Sequence, residues 1–100
     1  MKMLINSVVK NEAERNSKMI EQYEALIAGL PKGSLICRKG GYYYLKFREN
    51  GKVCDKYIGK ESSTIDRIRK DIEQRRHYEK MLYALKQEQK TITKLLEELQ

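Results

Sequence analysis

The 100-residue chain is poor in the residues that interrupt helices and in those that bind metals. It has one proline, six glycines and no tryptophan, so few positions break regular structure. One histidine, His77, and two cysteines, Cys37 and Cys54, are too few for a four-ligand zinc site within one chain. Two cysteines alone do not imply a disulfide framework, and buried or inert thiols are the simpler interpretation. We therefore expect no metal site and no cofactor.

Long apolar segments are also missing. No run is long enough to cross a bilayer, and residues 1–6 lack the apolar stretch of a secretory signal. We therefore expect a cytoplasmic protein without membrane contact. A chain this short has room for one modest core, which predicts a single domain over residues 1–100. Its 40% hydrophobic and 35% charged residues are typical of a folded, helix-rich protein rather than of a disordered one.

Positive charge is concentrated in the middle of the chain. The formal net charge is +7. Residues 31–60 hold eight basic and two acidic side chains, a net charge of +6, whereas residues 1–30 sum to zero and residues 61–100 to +1. Solubility alone would not require this segregation, so the central segment is the expected contact surface.

The first periodic segment predicts a helix over residues 7–29. Its apolar or small residues recur at heptad spacing, with one asparagine in the seam: Val9, Ala13, Asn16, Ile20, Tyr23, Ile27 and Leu30. A polar residue such as Asn16 inside a seam costs stability but can fix the register of two helices. Gly29 and Pro31 end the helix.

Between about residues 34 and 59 the pattern alternates, which predicts a small three-stranded antiparallel sheet. Asn50-Gly51 predicts a type I′ turn. That turn pairs Glu49 with Lys52, and the pairing continues one residue at a time along each strand to Tyr43 opposite Ile58.

A second turn is expected at Gly40-Gly41. If it also has two residues, Ile36 joins the apolar face of the sheet and Cys37 the polar face. Cys37 and Cys54 would then lie on opposite sides of the sheet, and a disulfide between them would be impossible.

The predicted register gives the sheet two different faces. The apolar face carries Tyr43, Leu45, Phe47, Cys54 and Ile58, and the polar face carries Tyr42, Tyr44, Lys46, Arg48, Asp55 and Tyr57. Because Phe47 lies on the face that must be covered, its replacement by alanine is expected to cost on the order of 3–5 kcal/mol.

The last segment predicts a helix over residues 63–98, because Ser63 and Asp66 have capping-box spacing and no glycine or proline follows. Two apolar stripes follow, the first at Ile65, Ile68 and Ile72, the second at Leu82, Leu85, Ile92, Leu96 and Leu99. The first stripe is expected to cover the sheet, and the second to pair with the first helix or with another chain. Four polar residues interrupt the seam between them: Arg75, Arg76, His77 and Glu79.

These elements predict an α+β fold, with long N- and C-terminal helices forming an antiparallel coiled-coil-like pair and the sheet between them in the chain. The last helix is the longer one. Its distal apolar residues would therefore lack a partner in a monomer, and we expect them to form a homodimer or partner contact: Ile92, Leu96 and Leu99.

No catalytic constellation is visible in the sequence. His77 lies between Arg76 and Tyr78, with no nearby serine, cysteine or second histidine to form an acid-base pair. The sequence therefore predicts a binding protein rather than an enzyme, without a small-molecule substrate.

The basic and aromatic residues of the sheet are the group of side chains whose chemistry suggests a function. Lysines and arginines can neutralise phosphates, and tyrosines present flat rings and hydroxyls, as in strands that bind nucleic acid. The predicted nucleic-acid-binding residues are Arg38, Lys39, Tyr42, Tyr44, Lys46, Arg48, Lys52, Lys56, Tyr57 and Lys60. The alternative is an ordinary solvated sheet, with Lys46–Asp55 as an ion pair and Tyr44–Tyr57 as an aromatic pair.

A second basic cluster lies near the start of the last helix, at Arg69, Arg75 and Arg76. Mixed charge runs of this kind are most often solvated helix faces stabilised by ion pairs. The cluster would contribute to binding only if it continues the basic surface of the sheet.

The hairpin resembles a known class of DNA-binding domain. The stretch from Gly40 to Lys52, closing with Lys56-Tyr57-Ile58-Gly59-Lys60, looks like the three-stranded arm-site domains of phage and transposon integrases. In that family the sheet lies in the major groove, so the resemblance implies DNA binding. The long flanking helices depart from the family, and we expect no recombinase catalytic domain.

The whole arrangement is similar to a family of short, uncharacterised bacterial and phage proteins: Leu30-Pro31-Lys32-Gly33-Ser34, the tyrosine-rich hairpin, Tyr57-Ile58-Gly59-Lys60 and a long charged helix. This similarity implies a mobile-element origin. The favoured interpretation is a nucleic-acid-binding accessory or regulatory protein, whose partner is nucleic acid or a nucleic-acid-bound protein complex. The alternative is a protein-binding inhibitor or adaptor, such as an anti-CRISPR protein acting on an RNA-guided nuclease.

Overall fold

A computed structural model describes residues 2–99 and confirms the α+β fold. The elements are α1 (Lys2–Ala28), β1 (Ser34–Arg38), β2 (Tyr42–Glu49), β3 (Lys52–Gly59) and α2 (Ser62–Leu99). The three strands form one antiparallel sheet in the order β1-β2-β3. Contacts divide the described residues into two compact units. The helical unit contains α1 and residues 78–99 of α2, and the sheet unit contains residues 29–77.

In the helical unit, the two helices pack against each other and run in opposite directions. Asn16 of α1 contacts Leu85 of α2, whereas Tyr23, farther along α1, contacts Tyr78, which lies earlier in α2. The helical members of the predicted α1 seam are all buried or half-buried: Val9, Ala13, Asn16, Ile20, Tyr23 and Ile27. The heptad prediction is therefore confirmed. Neither helix, over residues 2–99, is long and apolar enough to cross a membrane.

At the distal end of α2, the three side chains of the predicted dimer or partner contact are buried or half-buried within one chain. Ile92 is only 8% exposed, and Leu96 and Leu99 are half-buried. The helix α1 begins at Lys2 rather than at residue 7. The homodimer or partner contact expected through these side chains stays a prediction. The exposed apolar side chains in this part of the helical unit are others: Leu4, Ile5, Val8 and Leu95.

In the sheet unit, the turn between β2 and β3 has the predicted conformation. Asn50 and Gly51 both have positive φ, 52° and 78°, as a type I′ turn requires. The predicted pairs from Glu49–Lys52 to Tyr44–Tyr57 are confirmed. The last predicted pair is wrong, because Tyr43 lies opposite Gly59 rather than Ile58. The register shifts between Tyr43 and Tyr44, which leaves Ile58 as the extra residue of a β-bulge.

The connection between β1 and β2 differs from prediction by one residue. Its loop is Lys39–Gly41, and Gly41 N donates a 3.1 Å hydrogen bond to the carbonyl oxygen of Arg38. Three-residue loops are common in hairpins, and each added residue shifts the register by one. Ile36 therefore lies opposite Tyr44 on the polar face, and Cys37 lies on the apolar face. The two cysteines share a face after all, yet both are free thiols.

The core of the sheet unit is formed by the apolar face of the sheet and the first turns of α2. Its buried apolar side chains are Leu45, Ile65 and Ile72. A cleft lined by Leu35 and Ile72 shows that α2 lies against the apolar side of β1. Phe47 is half-buried, so Leu45, at 7% exposure, rather than Phe47, is the most buried side chain of β2.

Candidate nucleic-acid interface

One side of the sheet carries a set of exposed basic and aromatic side chains, which we call the tyrosine face. Side chains alternate between the two sides of a strand, so the register assigns alternate residues to this side. It is opposite to the side that carries Leu45. The tyrosine face consists of Ser34, Ile36, Arg38, Tyr42, Tyr44, Lys46, Arg48, Val53, Asp55 and Tyr57, with Lys60 joining through a ring contact.

Three tyrosine rings form a cluster on this face. Tyr44 and Tyr57 are cross-strand partners, and their ring centroids are 5.4 Å apart in an edge-to-face arrangement. The ring of Tyr42 lies 6.1 Å from that of Tyr57. Tyr42 and Tyr57 remain 41% and 55% exposed. In an edge-to-face contact, the positive edge of one ring meets the negative face of the other. This attraction stabilises the cluster although it faces solvent.

Two cations cover the faces of these rings. The guanidinium carbon of Arg38 lies 4.5 Å from the ring centroid of Tyr44, and Lys60 Nζ lies 4.3 Å from that of Tyr42. Arg38 also donates a 2.7 Å hydrogen bond from Nη2 to Asp55 Oδ2. The ring quadrupole attracts a cation, and the carboxylate adds an ion pair. Arg38 is thus held by two neighbours on two different strands.

Lys46 and Arg48 lie on the same face, nearer the turn at Asn50-Gly51, and both are exposed. Lys46 is opposite Asp55 in the register, as predicted. The ion pair of Asp55 is nevertheless formed with Arg38. Among the described residues, Asp55 therefore does not form the ion pair with Lys46 that an ordinary solvated sheet predicts. The Tyr44–Tyr57 aromatic pair of that alternative is present.

Two of the predicted binding residues belong to the other side of the sheet. Lys52 pairs with Glu49, and Lys56 pairs with Leu45, so alternation directs both lysines away from the tyrosine face. Both are exposed. Lys39 is exposed in the loop between β1 and β2. The positive charge of the central segment is thus divided between both sides of the sheet.

The second basic cluster does not continue the tyrosine face. Arg75 donates a 2.6 Å hydrogen bond to the carbonyl oxygen of Leu30, and Arg76 lies 3.4 Å from that of Gly33. Arg69 is 3.5 Å from Asp66, one turn away on α2. Arg69 and Arg76 line the same cleft as Leu35, on the apolar side of the sheet. Arg75 and Arg76 therefore contact the segment between α1 and β1.

The chain matches a known family over the elements that build this site. A family model described as a domain of unknown function (DUF6788) matches residues 9–70. The chain belongs to this family. The DUF6788 match includes all three strands, and therefore the whole tyrosine face, together with parts of α1 and α2. No curated protein matches the chain, and no solved structure matches it.

The DUF6788 description assigns no activity, so a function has to be argued from the side chains themselves. Among residues 2–99 there is no group of three or more His, Cys, Asp or Glu side chains that could hold a metal ion. The tyrosine face is the surface of the described sheet unit where rings, cations and a carboxylate meet.

Proposed function

We propose that the protein binds nucleic acid through the tyrosine face and that it is not an enzyme. The observation that carries the proposal is the exposed tyrosine cluster with Arg38 and Lys60 on its rings and with Lys46 and Arg48 beside it. Four basic side chains stand against one carboxylate, that of Asp55, so the face attracts phosphates.

The division of charge between the two sides of the sheet allows a matched test. Lys46→Ala/Arg48→Ala removes two cations from the tyrosine face, and Lys52→Ala/Lys56→Ala removes two from the other side. Binding of labelled duplex DNA, single-stranded DNA and RNA is measured by fluorescence anisotropy between about 50 mM and about 200 mM salt. We expect the wild-type affinity to fall steeply with salt, because bound cations release condensed counterions.

The first double variant should bind more weakly at low salt, and its salt dependence should be shallower by about 1.8 in log–log slope if both cations contact duplex phosphates. The second should keep most of the wild-type slope. Equal losses in both variants would mean that net charge, rather than the tyrosine face, determines binding. If none of the three nucleic acids binds at low salt, the proposal is wrong.

We place this activity in an accessory or regulatory role in a phage or mobile element. Support for that setting comes from the resemblance of the hairpin to integrase arm-site domains, carried by the stretch from Gly40 to Lys60. Copurification of the chain with DNA of such an element, lost in Lys46→Ala/Arg48→Ala, would support it. Copurification with bulk cellular RNA alone would count against it.

A second candidate is a protein-binding inhibitor or adaptor, such as one acting on an RNA-guided nuclease. Exposed apolar side chains on α1 favour it, since Leu4 and Val8 are 67% and 55% exposed and lie one helical turn apart. A pull-down from nuclease-treated lysate distinguishes the candidates. A partner retained after nuclease treatment and lost in Leu4→Glu/Val8→Glu supports the adaptor, and loss of every partner with the nucleic acid excludes it.

A further inference from the structure

We propose that Arg38 recognises the edge of a guanine in the major groove of duplex DNA, with Asp55 and Tyr44 as its positioning residues. The inference rests on the proposed function and names the ligand of the same face. It assigns different roles to cations that share one surface: Arg38 selects the base, and Lys46 and Arg48 contact phosphates.

The first argument is the fixed position of the guanidinium. Arg38 is 2.7 Å from Asp55 and 4.5 Å from the ring centroid of Tyr44, yet its side chain remains 49% exposed. Its main chain is paired with Tyr42 at the end of β1. A phosphate contact needs only a nearby positive charge, whereas a bidentate contact with a base needs a defined orientation of the planar group. Arg38, which is held by Asp55 and Tyr44 and is exposed elsewhere, meets the requirement for a bidentate contact with a base.

The second argument is the hydrogen-bonding capacity that remains. An arginine has five N–H donors in a fixed fork, and Asp55 accepts from Nη2. The remaining donors include those of Nη1, on the same guanidinium plane. Guanine presents two acceptors, O6 and N7, at the spacing of that fork, and no other base presents two acceptors in the major groove. Guanine is therefore the base that fits a positioned guanidinium.

The third argument separates duplex from single strands. Proteins that bind single strands stack bases on open aromatic faces. Here Arg38 and Lys60 cover faces of Tyr44 and Tyr42, and the Tyr44 and Tyr57 rings meet edge to face. Stacking would have to displace these contacts. A duplex offers base edges without stacking, and the major groove of DNA, unlike that of RNA, admits strands.

Lys46 and Arg48 show the opposite arrangement. Both are exposed, and the carboxylate opposite Lys46 is engaged by Arg38 instead. Cations of this kind suit phosphates, which set affinity and orientation without reading sequence. The two kinds of cation should therefore respond differently to substitution, and this difference makes the proposal testable.

The test is a selection from a pool of DNA duplexes with a randomised centre, carried out with the full chain. The wild type is expected to enrich sites with a guanine at one fixed position. Replacement of that G·C pair should weaken wild-type binding about 5- to 150-fold, the range for a lost bidentate contact. Arg38→Lys keeps the charge and loses the fork, so it should bind the two duplexes equally and keep the wild-type salt dependence.

Asp55→Asn tests the positioning role. It removes a negative charge, so binding to all duplexes should strengthen, while the preference for guanine should decline. A merely structural effect would weaken all binding together. Lys46→Ala is the control and should bind more weakly with the preference intact.

Three results overturn the inference. The first is a selected site without a guanine requirement, and the second is a requirement that Arg38→Lys retains. The third is stronger binding of a randomised single-stranded pool than of the duplex pool. In each of these the chain still binds nucleic acid, so the proposed function survives. If no pool is retained at low salt, the proposed function fails and this inference fails with it.

Discussion

The side-chain amide of Asn16 in α1 donates a 2.9 Å hydrogen bond to the main-chain oxygen of Leu85 in α2. Asn16 is only 1% exposed, and its Nδ2 also lies 3.4 Å from Glu88 Oε1. Its Oδ1 is buried and has no hydrogen-bond partner among the described residues. A buried amide that is only partly satisfied lowers stability, but it penalises any other alignment of the two helices.

Replacement of Asn16 by leucine should stabilise the protein. The substitution removes a buried oxygen that has no hydrogen-bond partner among the described residues, and it completes the apolar seam. We expect the free energy of unfolding to rise by about 1–2 kcal/mol. Such a gain raises the melting temperature by about 4–8 °C per kcal/mol in a domain of this size. Thermal melts followed by circular dichroism measure it. Asn11→Leu, on an exposed position of α1, controls for the higher helix propensity of leucine. A melting temperature below that of Asn11→Leu would show that the hydrogen bond to Leu85 outweighs the buried oxygen.

Replacement of Leu45 by alanine should strongly destabilise the protein. Leu45 is the buried apolar residue at the centre of β2, and its truncation is expected to cost about 2–5 kcal/mol. Val53→Ala, on the opposite side of the sheet at 53% exposure, should change stability by less than about 0.5 kcal/mol. Urea denaturation of both variants measures the difference. Similar losses in the two would contradict the assignment of the sheet faces.

Replacement of Gly33 by alanine should be more harmful than the same change at Gly41. Both have positive φ, 108° and 80°, so both variants bear backbone strain. A Cβ on Gly33 would also overlap the main-chain oxygen of Lys46 and come within 2.9 Å of Phe47 Cβ, whereas one on Gly41 would meet nothing within 4 Å. The difference in urea midpoint therefore measures the close approach of the chain before β1 to β2. Equal midpoints would mean that the chain before β1 can move away from β2 without loss of stability.

Replacement of Arg75 by alanine should lower stability and leave binding of nucleic acid unchanged. Its 2.6 Å hydrogen bond to the Leu30 oxygen joins a charged donor to a main-chain acceptor, a contact worth about 1.5–3 kcal/mol. Arg67→Ala, an exposed arginine on the same helix, removes the same charge and should be nearly neutral. Denaturation and anisotropy are measured on both variants. Weaker binding of nucleic acid by a fully folded Arg75→Ala protein would mean that Arg75 belongs to the interface.

The sequence predicted the elements that depend on local or periodic signals. The seven-residue repeat around Asn16 identified the seam of α1, and the tight turn at Asn50-Gly51 determined most of the β2–β3 register. Each signal lies within a few residues of the structure that it determines. The start of α1 was missed because residues 2–6 are too few to show a complete heptad.

The errors in the site come from small shifts with large effects on side-chain direction. One more residue in the loop Lys39–Gly41 moves Arg38 from the apolar side to the tyrosine face, where it meets Tyr44 and Asp55. No sequence signal distinguished two loop residues from three beside Gly40-Gly41. The structural role of Arg75 was also hidden, because its acceptor is a main-chain oxygen that composition and spacing do not reveal.

The helical unit is discontinuous in sequence, since residues 29–77 lie between α1 and the part of α2 that packs on it. This arrangement has a consequence for the order of folding. The sheet unit is contiguous and its strands are joined by short loops, so it can form while the chain is still being synthesised. The contact between Asn16 and Leu85 must wait until the last helix has been synthesised and a long loop has closed. An early hairpin would shorten that effective loop, so mutations that slow its formation should also slow the pairing of the helices.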